Sequence, residues 1–256
     1  MRLTVLGSGT LVPRPDRGAP GYIIAPDEGE AGDLVIVDSG SGTLYRAERA
    51  GIDWRAVNHL FYTHYHPDHT LDLVSFLFAA NWAPPSPRTE TLQVCGPAGL
   101  EEFVERVCGA WPSLRPKSYE LRLNELVPGR GIRTASGWQV KCAAVDHGDQ
   151  GGLAYRFSRG KGELVLSGDT QYCRALAELA AGADLLVCEC STDDAHAVEG
   201  HLSPQLVARI VRESGVGRVL LNHVYPLWDP AELAARVASL CEAQVEPAED
   251  LRTYVI

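Results

Sequence analysis

The chain has 256 residues, of which 45% are hydrophobic, and this suits one globular domain spanning residues 1–256 with a sizeable core. A formal net charge of -10 argues against a broad nucleic-acid surface, which requires clustered Lys and Arg. No apolar run reaches the length of a membrane-spanning helix, and the N-terminus lacks the features of a signal peptide. The cysteine count of seven is odd and the spacing irregular, which favours reduced thiols and a cytoplasmic location.

Short apolar runs alternate with helical patterns along the whole chain. Strands are predicted at Arg2–Leu6, Gly21–Ala25, Leu34–Val37, Leu60–Thr63, Leu92–Cys95, Trp138–Val145, Ala154–Ser158, Glu163–Leu166, Leu185–Cys188 and Val219–Leu221. Helices are predicted at Thr43–Ala50, Thr70–Asn81, Leu100–Cys108, Ala175–Ala181, Pro204–Ser214 and Pro230–Cys241. Early strands are neighbours and later ones alternate with helices, which indicates sheets with helices packed outside rather than a doubly wound parallel sheet.

The segment from Thr63 to His69 carries three histidines and an aspartate, His64, His66, Asp68 and His69, directly after a predicted strand. Imidazole and carboxylate are ligands that divalent Zn, Fe or Mn ions prefer. Pro67 disfavours helical geometry at His66, so the first two histidines are predicted on a strand-end loop. Asp68 and His69 open the next helix. The two halves therefore face different ways, which suits two metal ions better than one.

Other metal-competent side chains also follow predicted strands. They are His147 after Val145, Asp169 after Leu166, and His223 after Leu221. Side chains at strand ends are held precisely by a rigid sheet. Each one alone is weak evidence, but together and in this order they form a specific pattern.

The order His-x-His-x-Asp-His, then His, Asp and His, resembles the metallo-β-lactamase superfamily over nearly the whole chain. Within it, the chain is most similar to the ribonuclease Z branch. The segments that carry this resemblance include Leu6–Thr10, Val37–Thr43, Gly96–Leu100, Leu153–Phe157, Cys188–Ser191 and Gly200–Ser203.

The resemblance implies an α/β (α+β) fold, a four-layer αββα sandwich of two mixed β-sheets with a dinuclear metal site at one edge. Metal one would take His64, His66 and His147; metal two would take Asp68, His69 and His223, with Asp169 bridging both. Two ions sharing a carboxylate can hold a hydroxide between them, and this bridging hydroxide would be the nucleophile. Asp68 would also orient that nucleophile or take its proton.

The resemblance further implies that His201, paired with Glu189, stands opposite the metals and stabilises charge or protonates the leaving alkoxide. The alternative is a helix-proximal histidine with no catalytic task. Asp38 is expected to hold the histidine loop by hydrogen bonds rather than to bind metal. His59 and His196 are expected to be structural or solvated.

The chain departs from ribonuclease Z in a way that bears on the substrate. Bacterial ribonuclease Z carries a long tRNA-gripping arm between the strand resembling Leu153–Phe157 and the turn holding Asp169. Here only residues 158–167 fill that space, enough for a hairpin. Because acidic residues outnumber basic ones, the chain does not replace the phosphate contacts that such an arm would make with tRNA. Pro67 also replaces the glycine usual before the motif aspartate.

The leading hypothesis is therefore a dinuclear metal-dependent phosphodiesterase acting on a small or flexible phosphodiester. Three alternatives remain open: a lactonase, esterase or other carbonyl hydrolase on the same metal site, a tRNA 3′-end processing endoribonuclease, and a non-catalytic metal-containing binding subunit. The ligand set accepts Zn, Mn or Fe, with zinc expected.

Loops at 11–20, 83–90 and 225–230 are expected to frame the pocket. Trp82, Trp111 and Trp228 are candidates for an apolar wall there, with packing in the core or at the surface as an equal alternative. By resemblance alone, a homodimer is expected. The lack of a long apolar run predicts no membrane association.

Overall fold

The computed structural model describes all 256 residues apart from the side chain of Gln150. Two seven-stranded sheets form the centre of the molecule. The strands are β1 Arg2–Gly7, β2 Gly21–Ala25, β3 Leu34–Ser39, β4 Val57–Phe61, β5 Leu92–Gly96, β6 Leu121–Glu125, β7 Ile132–Arg133, β8 Gln139–Val145, β9 Gly152–Arg159, β10 Gly162–Leu166, β11 Leu185–Glu189, β12 Arg218–Asn222, β13 Gln244–Pro247 and β14 Thr253–Val255. The first sheet has the order β14-β1-β2-β3-β4-β5-β6, and the second has the order β13-β12-β11-β10-β9-β8-β7.

Both sheets are mixed. In the first sheet β14, β1, β2 and β3 pair antiparallel, and β3 to β6 pair parallel. In the second sheet β7 to β10 pair antiparallel and β10 to β13 pair parallel. The predicted pair of mixed sheets is therefore confirmed.

Helices lie on the outside of each sheet. They are α1 Thr43–Arg49, α2 Pro67–Thr70, α3 Asp72–Trp82, α4 Leu100–Ala110, α5 Arg174–Ala180, α6 Pro204–Ser214 and α7 Pro230–Ala238. Short 3-10 turns occur at Trp54–Ala56, Pro112–Leu114, Gly148–Gln150 and Asp194–His196.

Three hydrophobic cores correspond to the three interfaces of a four-layer sandwich. One core lies between the sheets, where Phe61 packs edge-on against Tyr155 and Phe157. A second joins the second sheet to α5, α6 and α7, and a third joins the first sheet to α1, α3 and α4. The predicted αββα architecture is confirmed.

Several predicted boundaries were wrong, and one of them concerns the site. The strand expected at Leu60–Thr63 is Val57–Phe61, because the Thr63 N–H donates to the Asp38 carboxylate rather than to a neighbouring strand. The helix expected at Thr70–Asn81 is α3, Asp72–Trp82, and the short helix α2 precedes it from Pro67, since proline fits the first helical position. The sequence did not predict β6, β7, β13 and β14, which are the four edge strands of the two sheets.

None of the helices that the structure describes combines the length and apolar character needed to cross a bilayer. All seven cysteines are free, as expected for reduced thiols.

Candidate active site

Strand direction brings the predicted site residues to one edge of the sandwich. β3 and β4 run parallel, as do β10, β11 and β12, so within each sheet the carboxyl ends of these strands meet at one edge. β8 is separated from β10 by one antiparallel strand and therefore runs in the same direction as β10. His147, Asp169 and His223 each follow a strand that ends at that edge.

The histidine loop has the predicted division. His66 adopts extended backbone angles, φ -63° and ψ 150°, immediately before α2, and Pro67 takes the first helical position. His64 and His66 therefore lie on the loop after β4, whereas Asp68 and His69 lie on α2. The two pairs consequently approach the edge from different directions.

Three imidazole nitrogens converge on the loop side. His66 Nδ1 lies 3.1 Å from His64 Nε2 and 3.1 Å from His147 Nε2. A tetrahedral ion with Zn–N bonds of about 2.0–2.1 Å requires ligand atoms about 3.3 Å apart. The observed spacing therefore fits a first-row divalent ion.

A second group of donors lies beside the first. His223 Nε2 is 3.2 Å from Asp68 Oδ2, and His69 Nε2 is 3.9 Å from the same oxygen. Asp169 Oδ2 lies 3.2 Å from His223 Nε2 and 3.3 Å from His69 Nε2. It is farther from the first group, 3.9 Å from His64 and 4.0 Å from His147. Asp169 thus stands between the groups but nearer the second.

Hydrogen bonds at Nδ1 leave the Nε2 lone pairs free. His69 Nδ1 donates to Asp38 at 2.8 Å, and His147 Nδ1 donates to the Gly200 carbonyl at 2.8 Å. The Thr63 hydroxyl donates to Asp38 and therefore accepts from His64 Nδ1 at 3.0 Å. A histidine whose Nδ1–H is engaged in this way offers Nε2 as a metal ligand. His66 is the exception, because its Nδ1 is the atom that faces the other two rings.

Charges at the site are set by burial and by the facing carboxylates. Burial and the neighbouring rings lower the pKa of His64 and His66, so these imidazoles are neutral at pH 7. Burial opposes a proton on His69 as well, but the charges of Asp169 and Asp38 outweigh it and raise its pKa well above the usual value. Burial opposes the charge of Asp169, but the charges of His223, His69 and His64 and the hydrogen bond from His69 hold its pKa well below the usual range.

The residues fit a divalent metal. His69 Nε2 is buried and makes no hydrogen bond, although it faces Asp169 Oδ2. A buried nitrogen without a partner is costly unless another group binds it. The facing donors are imidazoles and carboxylates, which together satisfy Zn, Fe or Mn.

His201 and Glu189 form a pair beside these donors. His201 Nδ1 lies 3.0 Å from Glu189 Oε2, and the Glu189 carboxylate also accepts from the backbone N–H groups of Thr170 and Leu202. Burial opposes protonation of His201, but the hydrogen bond and charge of Glu189 prevail and raise its pKa. The His201 ring stacks on His223 at 5.4 Å between centroids.

Two residues at this edge were missed as site residues in the sequence. The Ser191 hydroxyl donates to Glu189 at 2.8 Å and accepts from His223 Nδ1 at 3.1 Å, so it joins the pair to the candidate metal ligands. The Tyr225 hydroxyl lies 3.2 Å from His201 Nε2. Burial raises the pKa of Tyr225 to about 12, so its hydroxyl keeps its proton at neutral pH. In the sequence, two features indicated these residues: Ser191 lies two positions after Glu189, and Tyr225 lies in a loop expected at the pocket.

The backbone at this edge is unusual at two positions. Asp38 and His223 have positive φ angles of 54° and 55°, a conformation that costs a non-glycine residue about 1–2 kcal/mol. The bonds from Asp38 to Thr63 and His69, and from His223 to Ser191, hold these conformations. Asp38 therefore holds the histidine loop by hydrogen bonds, as expected from the sequence.

Some expectations for the pocket were wrong. Arg88, in the 83–90 loop, donates to the carbonyls of Arg55 and Val57, at the amino end of β4 and opposite the site. Because α3 starts near His69 and extends roughly 16 Å away, this loop and Trp82 at the helix end cannot frame the pocket. Trp111 follows the far end of α4 and is exposed.

Trp228 does lie near the site edge, in the loop after His223. Its ring is 5.8 Å from His196, whose exposed imidazole bonds to Asp193. His59 is buried within β4, 3.6 Å from Asp33 and outside the donor groups described above.

The space between β9 and β10 holds a tight hairpin. Arg159 pairs with Gly162, so only Gly160 and Lys161 connect the strands. The short connection predicted from the sequence is therefore observed, and this position has no protruding arm.

Comparisons with known proteins agree with this architecture. A family model described as a beta-lactamase superfamily domain matches residues 35–224. "Ribonuclease Z" of Mycobacterium sp. (strain KMS) is 29% identical over 276 aligned positions, which cover 98% of this chain and 94% of that protein.

Two solved structures share the fold. The metallo-beta-lactamase fold protein YhfI from Bacillus subtilis has a TM-score of 0.85 at 22% identity, covering 99% of this chain and 98% of that one. The short form of human tRNase Z has a TM-score of 0.79 at 22% identity, covering 100% and 99%. The predicted resemblance and the hydrolase class are confirmed. The fold implies use of a divalent metal, for which the clustered His and Asp side chains are candidate ligands. This chain belongs to the beta-lactamase superfamily.

Proposed function

We propose that the protein is a dinuclear metal-dependent phosphodiesterase that acts on a small or flexible phosphodiester. The observation that carries the proposal is the convergence of two donor groups on Asp169, with the His201–Glu189 pair beside them. The similarity to ribonuclease Z, named for a phosphodiester-cleaving activity, supports the same reaction class.

His64, His66 and His147 would hold one cation, and Asp68, His69 and His223 the other, with Asp169 shared. Zinc is the expected ion, with manganese or iron as alternatives. When bound, the cations would supply a water of lowered pKa as nucleophile and neutralise charge developing on the phosphoryl oxygens. Asp68 lies within the second donor group, where its free carboxylate oxygen can orient that water or accept its proton.

His201 would act on the leaving group. Glu189 accepts from its Nδ1 and raises its pKa, so the ring keeps a proton at Nε2 near neutral pH. That proton can pass to the departing oxygen as the phosphorus–oxygen bond breaks, which prevents formation of a free alkoxide.

Two features support a small substrate over tRNA. The β9–β10 hairpin has no arm, and the net charge is -10. Phosphate contacts by basic side chains provide most of the affinity for a polynucleotide, and this chain has 23 Lys and Arg against 33 Asp and Glu.

The test is a metal count paired with a substrate panel. Metals per chain are measured by mass spectrometry on the wild type and Asp169→Ala, and turnover is measured on a phosphodiester, a phosphomonoester, a lactone and a carboxylic ester. We expect about two metals per chain and diester turnover, with both reduced in the variant. Asp184→Ala is the control, because Asp184 is exposed and its carboxylate accepts from the Glu163 N–H of β10, outside the donor groups.

Other outcomes would select the alternatives. Lactone or ester turnover alone would retain the metal site and indicate a carbonyl hydrolase. Cleavage of a precursor tRNA at nanomolar enzyme would indicate 3′-end processing. A metal-loaded protein inert on every substrate would indicate a binding subunit.

A homodimer remains a proposal, and α3 offers a surface for it. Leu71, Phe78 and Trp82 are exposed and lie on one helical face, with the Phe78 and Trp82 rings 6.3 Å apart. An apolar face repeated in a second copy can form an isologous contact. Light scattering should give a dimer for the wild type and a monomer for Phe78→Glu; a monomeric wild type contradicts the proposal.

A further inference from the structure

The His201 ring has a partner at each nitrogen. On one side, Nδ1 faces the Glu189 carboxylate at 3.0 Å and the Ser191 hydroxyl at 3.2 Å. On the other, Nε2 faces the Tyr225 hydroxyl at 3.2 Å. Nε2 is the nitrogen that would meet a leaving group, so the Tyr225 hydroxyl stands where that group would arrive.

Tyr225 is held firmly in this position. Its backbone N–H donates to the Ser191 carbonyl at 3.0 Å, and its own carbonyl accepts from Trp228 at 3.1 Å, which closes a turn. Arg14 also reaches the Pro226 and Trp228 carbonyls from the facing loop. The Tyr225 ring lies 5.6 Å from His201 and 5.9 Å from His223. A side chain anchored in this way is preorganised rather than free to turn into solvent.

A phenol at this place can make two hydrogen bonds at once. Its oxygen can accept from a His201 Nε2–H while its own proton is donated to another oxygen. A leaving oxygen beside His201 Nε2 would be close enough to accept the hydrogen bond that the Tyr225 hydroxyl donates. Phenylalanine has a ring of the same shape but can make neither of these hydrogen bonds.

We propose that Tyr225 is a positioning and specificity-determining residue that fixes the Nε2 edge of His201 and donates a hydrogen bond to the leaving oxygen of the substrate. This inference rests on the proposed phosphodiesterase function. During the step, the phosphorus–oxygen bond breaks and its electron pair goes to the leaving oxygen. That oxygen takes the Nε2 proton of His201, which gives up its hydrogen bond to the Tyr225 oxygen as it moves. Tyr225 keeps its own proton throughout.

The inference narrows the substrate class to diesters with an alkyl leaving group, such as a sugar or glycerol hydroxyl. An alkoxide is strongly basic, so hydrogen bonds to the leaving oxygen matter most for such substrates. An aryl leaving group such as p-nitrophenolate is stable without them. Loss of the Tyr225 hydroxyl should therefore slow the hydrolysis of alkyl diesters more than that of aryl diesters.

The first test compares Tyr225→Phe with Tyr172→Phe on two substrates of the zinc-loaded protein. Tyr172 is the matched control, because its hydroxyl bonds only to the exposed Glu213. The substrates are a thymidine dinucleotide and the p-nitrophenyl ester of thymidine 5′-phosphate. For Tyr225→Phe we expect kcat on the dinucleotide to fall about fivefold, with less than about a twofold change on the aryl ester and with KM unchanged. Equal losses on both substrates, or none, would overturn the proposal.

A second test does not depend on turnover. Nitrogen-15 NMR of the imidazoles in the zinc-loaded protein reports whether His201 Nε2 is hydrogen bonded. We expect its resonance to move in Tyr225→Phe and to stay in place in Tyr172→Phe; an unmoved resonance would overturn the proposal. A wild type inert on both diesters would reject the proposed function, and the NMR result would still decide whether Tyr225 positions His201.

Discussion

The Asp38 carboxylate accepts a 2.8 Å hydrogen bond from His69 Nδ1, although the two residues lie on different elements, β3 and α2. The same carboxylate accepts from the N–H and the hydroxyl of Thr63, which precedes the histidine loop. One buried side chain thus fixes both the loop and the helix that carry the proposed ligands.

Asp38→Asn should therefore weaken metal binding without removing a ligand. The amide lacks the charge that orients His69 and raises the basicity of its ring, so we expect metal affinity to fall by roughly 10- to 100-fold. Competition with a chromophoric chelator would measure the change. Asp33→Asn is the control, because Asp33 also faces a buried histidine, His59, outside the site. Equal affinities of Asp38→Asn and the wild type would contradict this role.

Metal binding should release a proton from His69. In the metal-free protein its pKa is raised well above the usual value, so the ring is protonated at pH 7, and a ligand must be neutral. The affinity of the protein for the metal should consequently rise with pH until the pH exceeds the pKa of His69. Calorimetry in two buffers of different ionisation enthalpy should show about one proton fewer released by His69→Ala than by the wild type. His196→Ala should release as many protons as the wild type, and an unchanged count in His69→Ala would refute the assignment.

Glu189→Gln should shift the pH dependence of turnover. His201 acts while protonated, so activity is present below its pKa and lost as the pH rises through it. The Glu189 hydrogen bond and charge raise that pKa, and their loss moves the decline to lower pH. We expect kcat/KM on an alkyl diester to fall more at pH 8 than at pH 6, because less of the His201 imidazole is protonated at the higher pH. Glu213→Gln, on the surface of α6, should keep the wild-type profile; an identical profile for Glu189→Gln would exclude this role for His201.

Gly40→Ala should destabilise the protein and lower its metal content. A Cβ at this position would lie 1.9 Å from the Asp68 carbonyl oxygen and 2.7 Å from Ala19 Cβ, so α2 or the Ala19 segment would have to move. We expect a loss of about 1–3 kcal/mol in the free energy of unfolding. In Gly109→Ala the new Cβ meets nothing within 4 Å, and alanine should stabilise α4 by about 0.5–1 kcal/mol. Thermal denaturation and metal counts on both variants would test this, and equal stabilities would contradict it.

The residue pattern alone predicted most of the strands and helices, the order of the metal-competent residues and the division of the histidine loop at Pro67, whereas the pairing into two mixed sheets was expected only from the family resemblance. The features predicted from the pattern are local, because each depends on an apolar run, the side chain that follows it, or the restriction that proline places on its neighbours.

Which loops meet at the site depends on how the strands and helices are arranged in three dimensions. The 83–90 loop lies at the far end because α3 leads the chain away from the His69 edge, a distance that periodicity does not report. Ser191 and Tyr225 reach His201 because β11 and β12 are parallel neighbours whose carboxyl ends carry both loops to one place. Their roles depend on contacts between segments far apart in sequence, and such contacts follow from strand order rather than from any local pattern.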